Sequence, residues 1–440
     1  MDKDIISIVK QVAINLSDHD RLIKMVTDEK NVRSWSGIKF PAWNATSLSH
    51  GIPSICLLYG KLMECFPDEE TWPLLAHQHL EYMVNALNET GFHGLSLFSG
   101  AAGAGLAVAS VSNNFQNYKK LLATINSFII SNFDRVFNNE HKSTGINSGY
   151  YDVIDGLSGV LSYCSIYCNQ EEFRKILIKG LEKLVELTKD ININGMKVPG
   201  WYISSENQTS RTESILYSNG NFNTSFSHGI SGPLALLADM KCHGFVVEGQ
   251  DEAIEKIVNF LFDYKLYDGE RHFWKGQIDF GEFADGKLSK NNIVRRDAWC
   301  YGNPGICYAI LMAGKAMHRP EWIHYALDNI EKTMMNIKGI FSPTFCHGFS
   351  GLYQLLNSVE SVIGTEKFLS HKQSLMEKIM SYYDSEYLFG FKNMEIGDDG
   401  ETVKPYEYIG LLDGTVGVCL TLLEDKYKGN SFWKKAFLLA

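Results

Sequence analysis

The sequence predicts an all-α protein, an α/α toroid in which seven helix pairs form an inner and an outer ring and carry a small inserted β-rich subdomain. A short glycine motif, Gly-x-x-Gly, recurs along the chain, and each copy is followed by an apolar stretch. Amphipathic segments with charges on one face separate the copies. One helix buried on nearly all sides and one half-solvated helix per repeat would close into two concentric rings.

The glycine motif divides the chain into seven repeats, numbered here one to seven. The copies lie at Gly51/Ser54, Gly100/Gly103, Gly156/Gly159, Gly229/Gly232, Gly302/Gly305, Gly348/Gly351 and Gly414/Gly417. The first copy is degenerate, because Ser54 takes the place of the second glycine. Glycine suits the tight turn that leads into each following helix, since it allows close approach of the backbone.

Two intervals, from copy three to four and from copy four to five, are longer than a helix pair needs. The excess lies in residues 190–226 and 265–294, which are rich in glycine, asparagine, serine and aromatic residues and lack helical periodicity. Such segments are typical of short strands, so we expect them to pair into a small β-rich subdomain on one rim. No Pro- or Ser-rich linker divides the chain, and we expect residues 1–440 to form a single domain.

Composition excludes several classes of protein. With 440 residues, 45% hydrophobic and 21% charged, the chain has the composition of a globular protein with a large core. A formal charge of −10 without any basic run excludes nucleic acid as a partner. Nine cysteines spread over a long chain without a secretory signal favour thiols and metal ligands over disulfides. No segment resembles a transmembrane helix, and we expect a cytoplasmic protein.

Two copies carry cysteine beside their glycines. Copy five reads Trp-Cys-Tyr-Gly at 299–302, and copy six reads Cys-His-Gly at 346–348. If equivalent positions lie at the same end of the toroid, Cys300, Cys346 and His347 converge. Two thiolates and one imidazole make a three-ligand zinc site with its fourth position open. The alternative is that both cysteines are small buried core residues.

Copy four places a histidine, His228, directly before its first glycine. The same reasoning puts this imidazole at the rim that carries the cysteines. Copy three offers two carboxylates, Asp152 and Asp155, either of which would raise the pKa of His228 if it lay close by. Spacing alone does not choose between them. His50 holds the corresponding place in the degenerate copy one, and we expect no function for it.

The three motifs together resemble those of a known family. Ser-His-Gly-x-x-Gly at 227–232, Trp-Cys-Tyr-Gly-x-Pro-Gly at 299–305 and Cys-His-Gly-x-x-Gly at 346–351 occur in the order found in the lanthionine synthetase C-like family, specifically in its stand-alone lantibiotic cyclases. The resemblance covers nearly the whole chain. It implies an enzyme that adds Cys thiols of a precursor peptide to its dehydroalanine and dehydrobutyrine residues, a Michael-type addition that closes thioether rings.

The resemblance also implies roles for single residues. Cys300, Cys346 and His347 match the ligands of one zinc ion per chain, and His228 matches the acid/base. Asp152 is preferred as its carboxylate because the family pattern Tyr-Asp-Val-Ile-x-Gly places the acid there. Arg296 and Tyr301, which flank Cys300, match active-site positions.

The same resemblance implies partners. The substrate would be the dehydrated precursor peptide with its leader. A lantibiotic dehydratase and an ABC transporter would be further partners, and a complex with them would hold the cyclase peripherally at the membrane. The negative net charge is compatible with a cationic peptide.

Other functions are compatible with the predicted fold. A non-catalytic zinc-binding toroid would act as a peptide receptor or scaffold. A zinc prenyltransferase-like enzyme also activates thiols, but it needs a basic pyrophosphate site, for which only Arg295 and Arg296 are near. A glycoside hydrolase needs two carboxylates across a cavity, and Asp152 and Asp155 are too close in sequence for that.

Overall fold

The structure is a computed structural model that divides into two compact units. The first unit comprises Met1–Ile129, Phe341–Asn357 and Lys367–Ala440, and the second comprises Ile130–Ile340 and Ser358–Glu366. The structure describes the chain except residues 1, 36, 37, 41, 42, 139–144, 290–292, 294, 398–400, 428, 430, 431 and 440. That residues 1–440 form a single domain stays a prediction.

Each copy of the glycine motif leads directly into a helix, as predicted. Within the described residues these motif helices are Ile52–Cys65, Ala101–Ser110, Leu157–Cys164, Ser231–Cys242, Asn303–Ala316, Phe349–Ile363 and Thr415–Lys426. Their apolar circumference is matched by their burial. Every residue from Ile52 to Leu62 is buried, and so is every residue from Ala101 to Ala109.

The amphipathic segments form the second helix of each pair. These connecting helices are Asp2–Asn15, Thr71–Thr90, Lys119–Val136, Glu171–Leu187, Gln250–Asp263, Pro320–Met335 and Leu369–Ser381. In Glu171–Leu187 the buried side chains recur at helical spacing, as in Phe173, Ile176, Leu177 and Leu181. Three shorter helices, His19–Val26, Arg211–Leu216 and Phe280–Asp285, complete the set of α-helices described. None of the described helices is long and apolar enough to cross a membrane.

Pairs of helices pack as the repeat predicts. In the second unit, Asn303–Ala316 packs against its connecting helix Pro320–Met335 and against the preceding motif helix Ser231–Cys242. In the first unit, Ile52–Cys65 packs in the same way against Thr71–Thr90 and Ala101–Ser110. Motif helices therefore contact both their own partner and the next motif helix.

Short antiparallel pairs of strands are present in both predicted insertions. Asp190–Ile193 pairs with Met196–Pro199, Leu266–Tyr267 with His272–Phe273, and Asn221–Asn223 with Gln277–Asp279. The last pair joins one insertion to the other. The end of the second insertion, residues 290–292 and Val294, lies outside the described residues. The grouping of these strands as one subdomain on a rim stays a prediction.

Two further hairpins were not expected from the sequence. Arg33–Trp35 pairs with Ile38–Phe40, and Asn393–Ile396 pairs with Val403–Tyr406. The second hairpin lies between copies six and seven, in the first unit. That interval is also longer than most of the others, which is the signal that could have revealed it.

Backbone hydrogen bonds join each described turn to the turn of the next copy in the same unit. The acceptor is always the carbonyl of the residue two places before the first glycine. The bonds run from Leu48 N to Phe98 O (2.8 Å), Val153 N to Ser227 O (3.0 Å), Phe226 N to Cys300 O (2.9 Å) and Cys346 N to Leu412 O (2.9 Å). These bonds fix the residues that precede one glycine relative to those of the next copy.

The turn at Gly302 has no room for any other residue. Its φ is +107° and its ψ is −171°, a region that side chains make unfavourable. A Cβ atom built there would lie 1.8 Å from the carbonyl oxygen of Arg296. Replacement therefore has to open the turn that carries Cys300 and Tyr301.

We predict that Gly302→Ala lowers the free energy of unfolding by about 3 kcal/mol or more, because backbone strain and a backbone clash add. The matched control is Gly244→Ala, where φ is also positive (+80°) but a Cβ would meet nothing within 4 Å. The control should cost only about 1 kcal/mol. Denaturant unfolding of both variants checks this, and equal losses would show that the clash at Gly302 does not constrain the turn.

Candidate active site

His228 and Asp152 form a direct contact in the second unit. The Nδ1 atom of His228 lies 2.6 Å from Oδ2 of Asp152, the distance of a charge-assisted hydrogen bond. The Asp152 side chain is 1% exposed, whereas that of His228 is 40% exposed. The buried carboxylate thus holds the Nδ1 atom of the imidazole, and the rest of the ring remains accessible to solvent.

The turn of copy three explains why Asp152 takes this place and Asp155 does not. Oδ1 of Asp152 accepts hydrogen bonds from the backbone N–H groups of Asp155 and Gly156, each at 2.8 Å. This caps the turn and leaves Oδ2 directed at His228. The side chain of Asp155 is exposed. The question that spacing left open is answered by this Asx-type turn.

The electrostatic environment favours the protonated form of His228. Burial alone would lower its pKa, but the hydrogen bond that Nδ1 donates to Asp152 and the charge of that carboxylate outweigh this effect. The pKa of His228 is raised above its usual value as a result. The imidazolium is able to donate a proton from Nε2, because Nδ1 is committed to Asp152.

Tyr301 lies beside His228, with 6.5 Å between the ring centroids. Its hydroxyl oxygen accepts a hydrogen bond from Nδ2 of Asn223 at 3.2 Å. Burial raises the pKa of Tyr301 to about 12, so the phenol stays neutral at pH 7. Gly276 packs so closely against the same ring that a Cβ there would lie 2.8 Å from Cδ1 of Tyr301.

The strands of the two insertions hold the segment that leads to His228. Asn221–Asn223 pairs with Gln277–Asp279, and Thr224 N donates to Gly276 O at 2.9 Å. Oδ1 of Asn223 then accepts from Ser225 N at 2.9 Å. The β insertions therefore position the residues just before the histidine.

A buried ion pair fixes the approach to Cys300. Nη2 of Arg271 lies 2.5 Å from Oδ2 of Asp297, and both side chains are almost completely buried. The guanidinium also donates to the carbonyl of Asn336 at 2.7 Å, and Asp297 accepts from Lys338 N at 2.8 Å. These bonds tie the start of copy five to the connection before copy six in the same unit.

The candidate metal ligands are distributed over both units. Cys300, in the second unit, is 5% exposed. Cys346 and His347 are neighbours in the first unit, where Cys346 is half-buried and His347 buried. Nε2 of His347 lies 2.8 Å from a carboxylate oxygen of Glu395, and Nδ1 lies 3.6 Å from Asp413. That all three residues bind one metal ion stays a prediction.

Arg296 is half-buried and lies in the second unit, four residues before Cys300. Its carbonyl oxygen is the atom that would lie 1.8 Å from a Cβ at Gly302.

Three functional candidates were not predicted from the sequence: Asn223, which binds Tyr301; Arg271, which anchors Asp297; and Glu395, which contacts His347. Asn223 stands only five residues before His228, a proximity that could have drawn attention to it. The other two are far in sequence from the residues they contact.

Comparisons with known proteins agree with these motifs. The chain matches the family model "Lanthionine synthetase C-like protein" over residues 42–438. It is 31% identical over 397 residues to the nisin biosynthesis protein NisC of Lactococcus lactis subsp. lactis, covering 89% of this chain and 88% of that protein.

A solved structure of nisin cyclase matches 99% of this chain and 98% of its own length, with a TM-score of 0.81 and 28% sequence identity. This match confirms the predicted fold class, an all-α toroid of helix pairs with short β insertions. The family model, the curated relative and the solved structure lead to one conclusion: the chain belongs to the lanthionine synthetase C-like family.

Proposed function

We propose that this chain is a zinc-dependent lanthionine cyclase that closes thioether rings in a lantibiotic precursor peptide. The class of enzyme, a thioether-forming lanthionine synthetase, follows from the family. The zinc dependence and the Michael-type addition are the proposal. The observation that carries it is the 2.6 Å contact of His228 with the buried Asp152, which provides a proton donor beside Cys300 and Tyr301 in one unit.

The donor set suits zinc. Cys300, Cys346 and His347 offer two thiolates and one imidazole, the ligands of a zinc site that keeps its fourth position open. When bound, zinc would lower the pKa of a substrate thiol so that the reactive thiolate is present near neutral pH. Cys307 and Cys419 are completely buried and are assigned to packing.

His228 supplies the proton that completes the addition. The substrate sulfur forms a bond to the β-carbon of a dehydro residue, and the electron pair of the double bond moves to the α-carbon and its carbonyl oxygen. The resulting enolate needs one proton at the α-carbon. His228 donates it from Nε2, while Asp152 keeps the proton on Nδ1 and stabilises the imidazolium.

Arg296 and Tyr301 are proposed to act on the developing negative charge. The guanidinium group of arginine stays protonated in proteins, so Arg296 offers a positive charge to the enolate oxygen. Tyr301 remains a neutral phenol because its pKa is raised to about 12. Its hydroxyl is a hydrogen-bond donor that Asn223 holds in place.

The proposed substrate is a precursor peptide in which a dehydratase has converted Ser and Thr to dehydroalanine and dehydrobutyrine. Dehydratase and transporter are proposed partners of a complex that would hold the enzyme peripherally at a membrane. The net charge of −10 suits a cationic peptide.

We predict that His228→Asn retains zinc and folding but loses about 10²- to 10⁴-fold in the rate of cyclisation, the usual contribution of a general acid. Free thiols in a dehydrated precursor peptide are counted over time, and zinc content and melting temperature are measured on the same sample. Unchanged cyclisation would remove His228 from the mechanism. Loss of zinc and stability together with activity would make it a structural residue.

Asp152→Asn is predicted to act through the tautomer of His228. The amide oxygen has to face the two backbone N–H groups of Asp155 and Gly156, so its NH₂ group faces Nδ1. Nδ1 then becomes an acceptor, and the imidazolium loses the charge that stabilised it. An NMR titration should give a pKa above 6.5 for His228 in the wild type and a lower one in Asp152→Asn. An identical pKa in both proteins would contradict the assignment of Asp152.

Zinc content tests the ligand set. We predict one zinc ion per chain in the wild type and its loss in Cys300→Ala and in Cys346→Ala. The large hydrophobic core should keep both variants folded, unlike a small zinc-dependent domain. Cys242→Ala, which removes an exposed thiol, is the matched control and should keep its zinc. Full retention of zinc by both ligand variants would rule out the site.

A further inference from the structure

The hairpin Asn393–Ile396/Val403–Tyr406 reaches the turn that carries His347. Oδ1 of Asn393 accepts hydrogen bonds from Oγ of Ser342 at 3.0 Å and from Oγ1 of Thr344 at 3.3 Å. Met394 N in turn donates to Oγ of Ser342 at 3.1 Å. Ser342 and Thr344 stand four and two residues before Cys346, the first residue of the Cys-His-Gly motif of copy six. The first strand of the hairpin is therefore tied to the segment that positions the two predicted ligands.

This attachment brings the side chain of Glu395 into contact with His347. Side chains two residues apart on a strand point to the same face, and Asn393 and Glu395 are the two buried residues of theirs. Glu395 is 1% exposed, and its Oε2 lies 2.8 Å from Nε2 of His347. The same oxygen lies 3.3 Å from Nη1 of Arg33. The carboxylate thus faces one imidazole and one guanidinium inside the protein.

A buried carboxylate needs such partners. Removing an ionised group from water is unfavourable, and the cost is offset only when opposite charges or hydrogen-bond donors surround it. Arg33 supplies a permanent charge. His347 adds a donor only if Nε2 carries the ring proton. The arrangement therefore favours the tautomer in which Nε2, and not Nδ1, carries the ring proton.

We propose that Glu395 is a positioning residue that holds the ring of His347 with its proton on Nε2 and leaves Nδ1 for the metal. The inference rests on the zinc site of the proposed function. Metal-binding histidines commonly donate their second ring N–H to a carboxylate, which fixes both tautomer and orientation. Asp413 does not compete for this role, because at 3.6 Å from Nδ1 it is beyond hydrogen-bond distance.

Zinc affinity of the metal-free protein is the direct test. Competition with a chromophoric chelator gives the dissociation constant of the wild type, Glu395→Ala and Glu395→Gln. We expect Glu395→Ala to weaken zinc binding about 10- to 100-fold. Glu395→Gln should lose less, because its amide oxygen keeps an acceptor atom facing Nε2 and Arg33.

The matched control is Glu424→Gln in the same unit. Glu424 is also buried and paired with cations, Lys61 at 3.1 Å and Lys434 at 3.2 Å. It lies on the helix Thr415–Lys426, away from the strand of Glu395, and belongs to a separate ion-pair group. Its replacement should lower the melting temperature and leave zinc affinity unchanged. The melting temperature of every metal-free variant is recorded beside its affinity.

The outcomes separate this inference from the function it rests on. Wild-type affinity in Glu395→Ala would overturn the role of Glu395 while leaving the zinc site intact. If zinc affinity falls in proportion to melting temperature in both Glu395→Ala and Glu424→Gln, then Glu395 is only a structural residue. A wild-type protein that binds no zinc would overturn the metal site itself, and this inference with it.

Discussion

The hydrogen bonds between the backbone turns of successive copies are the constraint on which the candidate site depends. A carbonyl two residues before one glycine accepts from the N–H groups just before the preceding glycine, as Cys300 O does from Phe226 N. Each turn is also tightly wound on itself: a Cβ at Gly302 would lie 1.8 Å from the carbonyl oxygen of Arg296 in its own turn. Functional residues stand immediately before the glycines, so the same bonds that build the fold set their spacing.

Asp152 shows how structure and chemistry share one side chain. Its Oδ1 satisfies the backbone of its own turn, and its Oδ2 holds His228 at 2.6 Å. The bond from Val153 N to Ser227 O joins the same two turns. The carboxylate is therefore pre-organised before any substrate arrives, and little reorganisation is needed when the imidazole gives up its proton. A change at this position alters the local fold and the proton donor together.

The repeat was predictable because glycine spacing and hydrophobic periodicity are local in sequence. Each motif helix begins one or two residues after the first glycine of its motif, as at Ile52 and Thr415, so the helix also includes the position of the second glycine. The hairpin at 393–406 was missed because its strands are short and its burial comes from the turn it packs on. Arg271 and Glu395 were missed for a related reason: their partners, Asp297 and His347, are distant in sequence, and only folding brings them into contact.

If His228 is a fixed donor that protonates the α-carbon, the configuration of that carbon records the face from which the proton arrives. A precursor with one cysteine and one dehydro residue is cyclised by the wild type and by His228→Asn, and the configuration of the new Cα–H centre is determined in each product. We expect a single configuration from the wild type, since the proton arrives from one face. We expect both configurations in the slow product of the variant, where water supplies the proton. Should the variant give the wild-type configuration at the wild-type rate, His228 is not the proton donor.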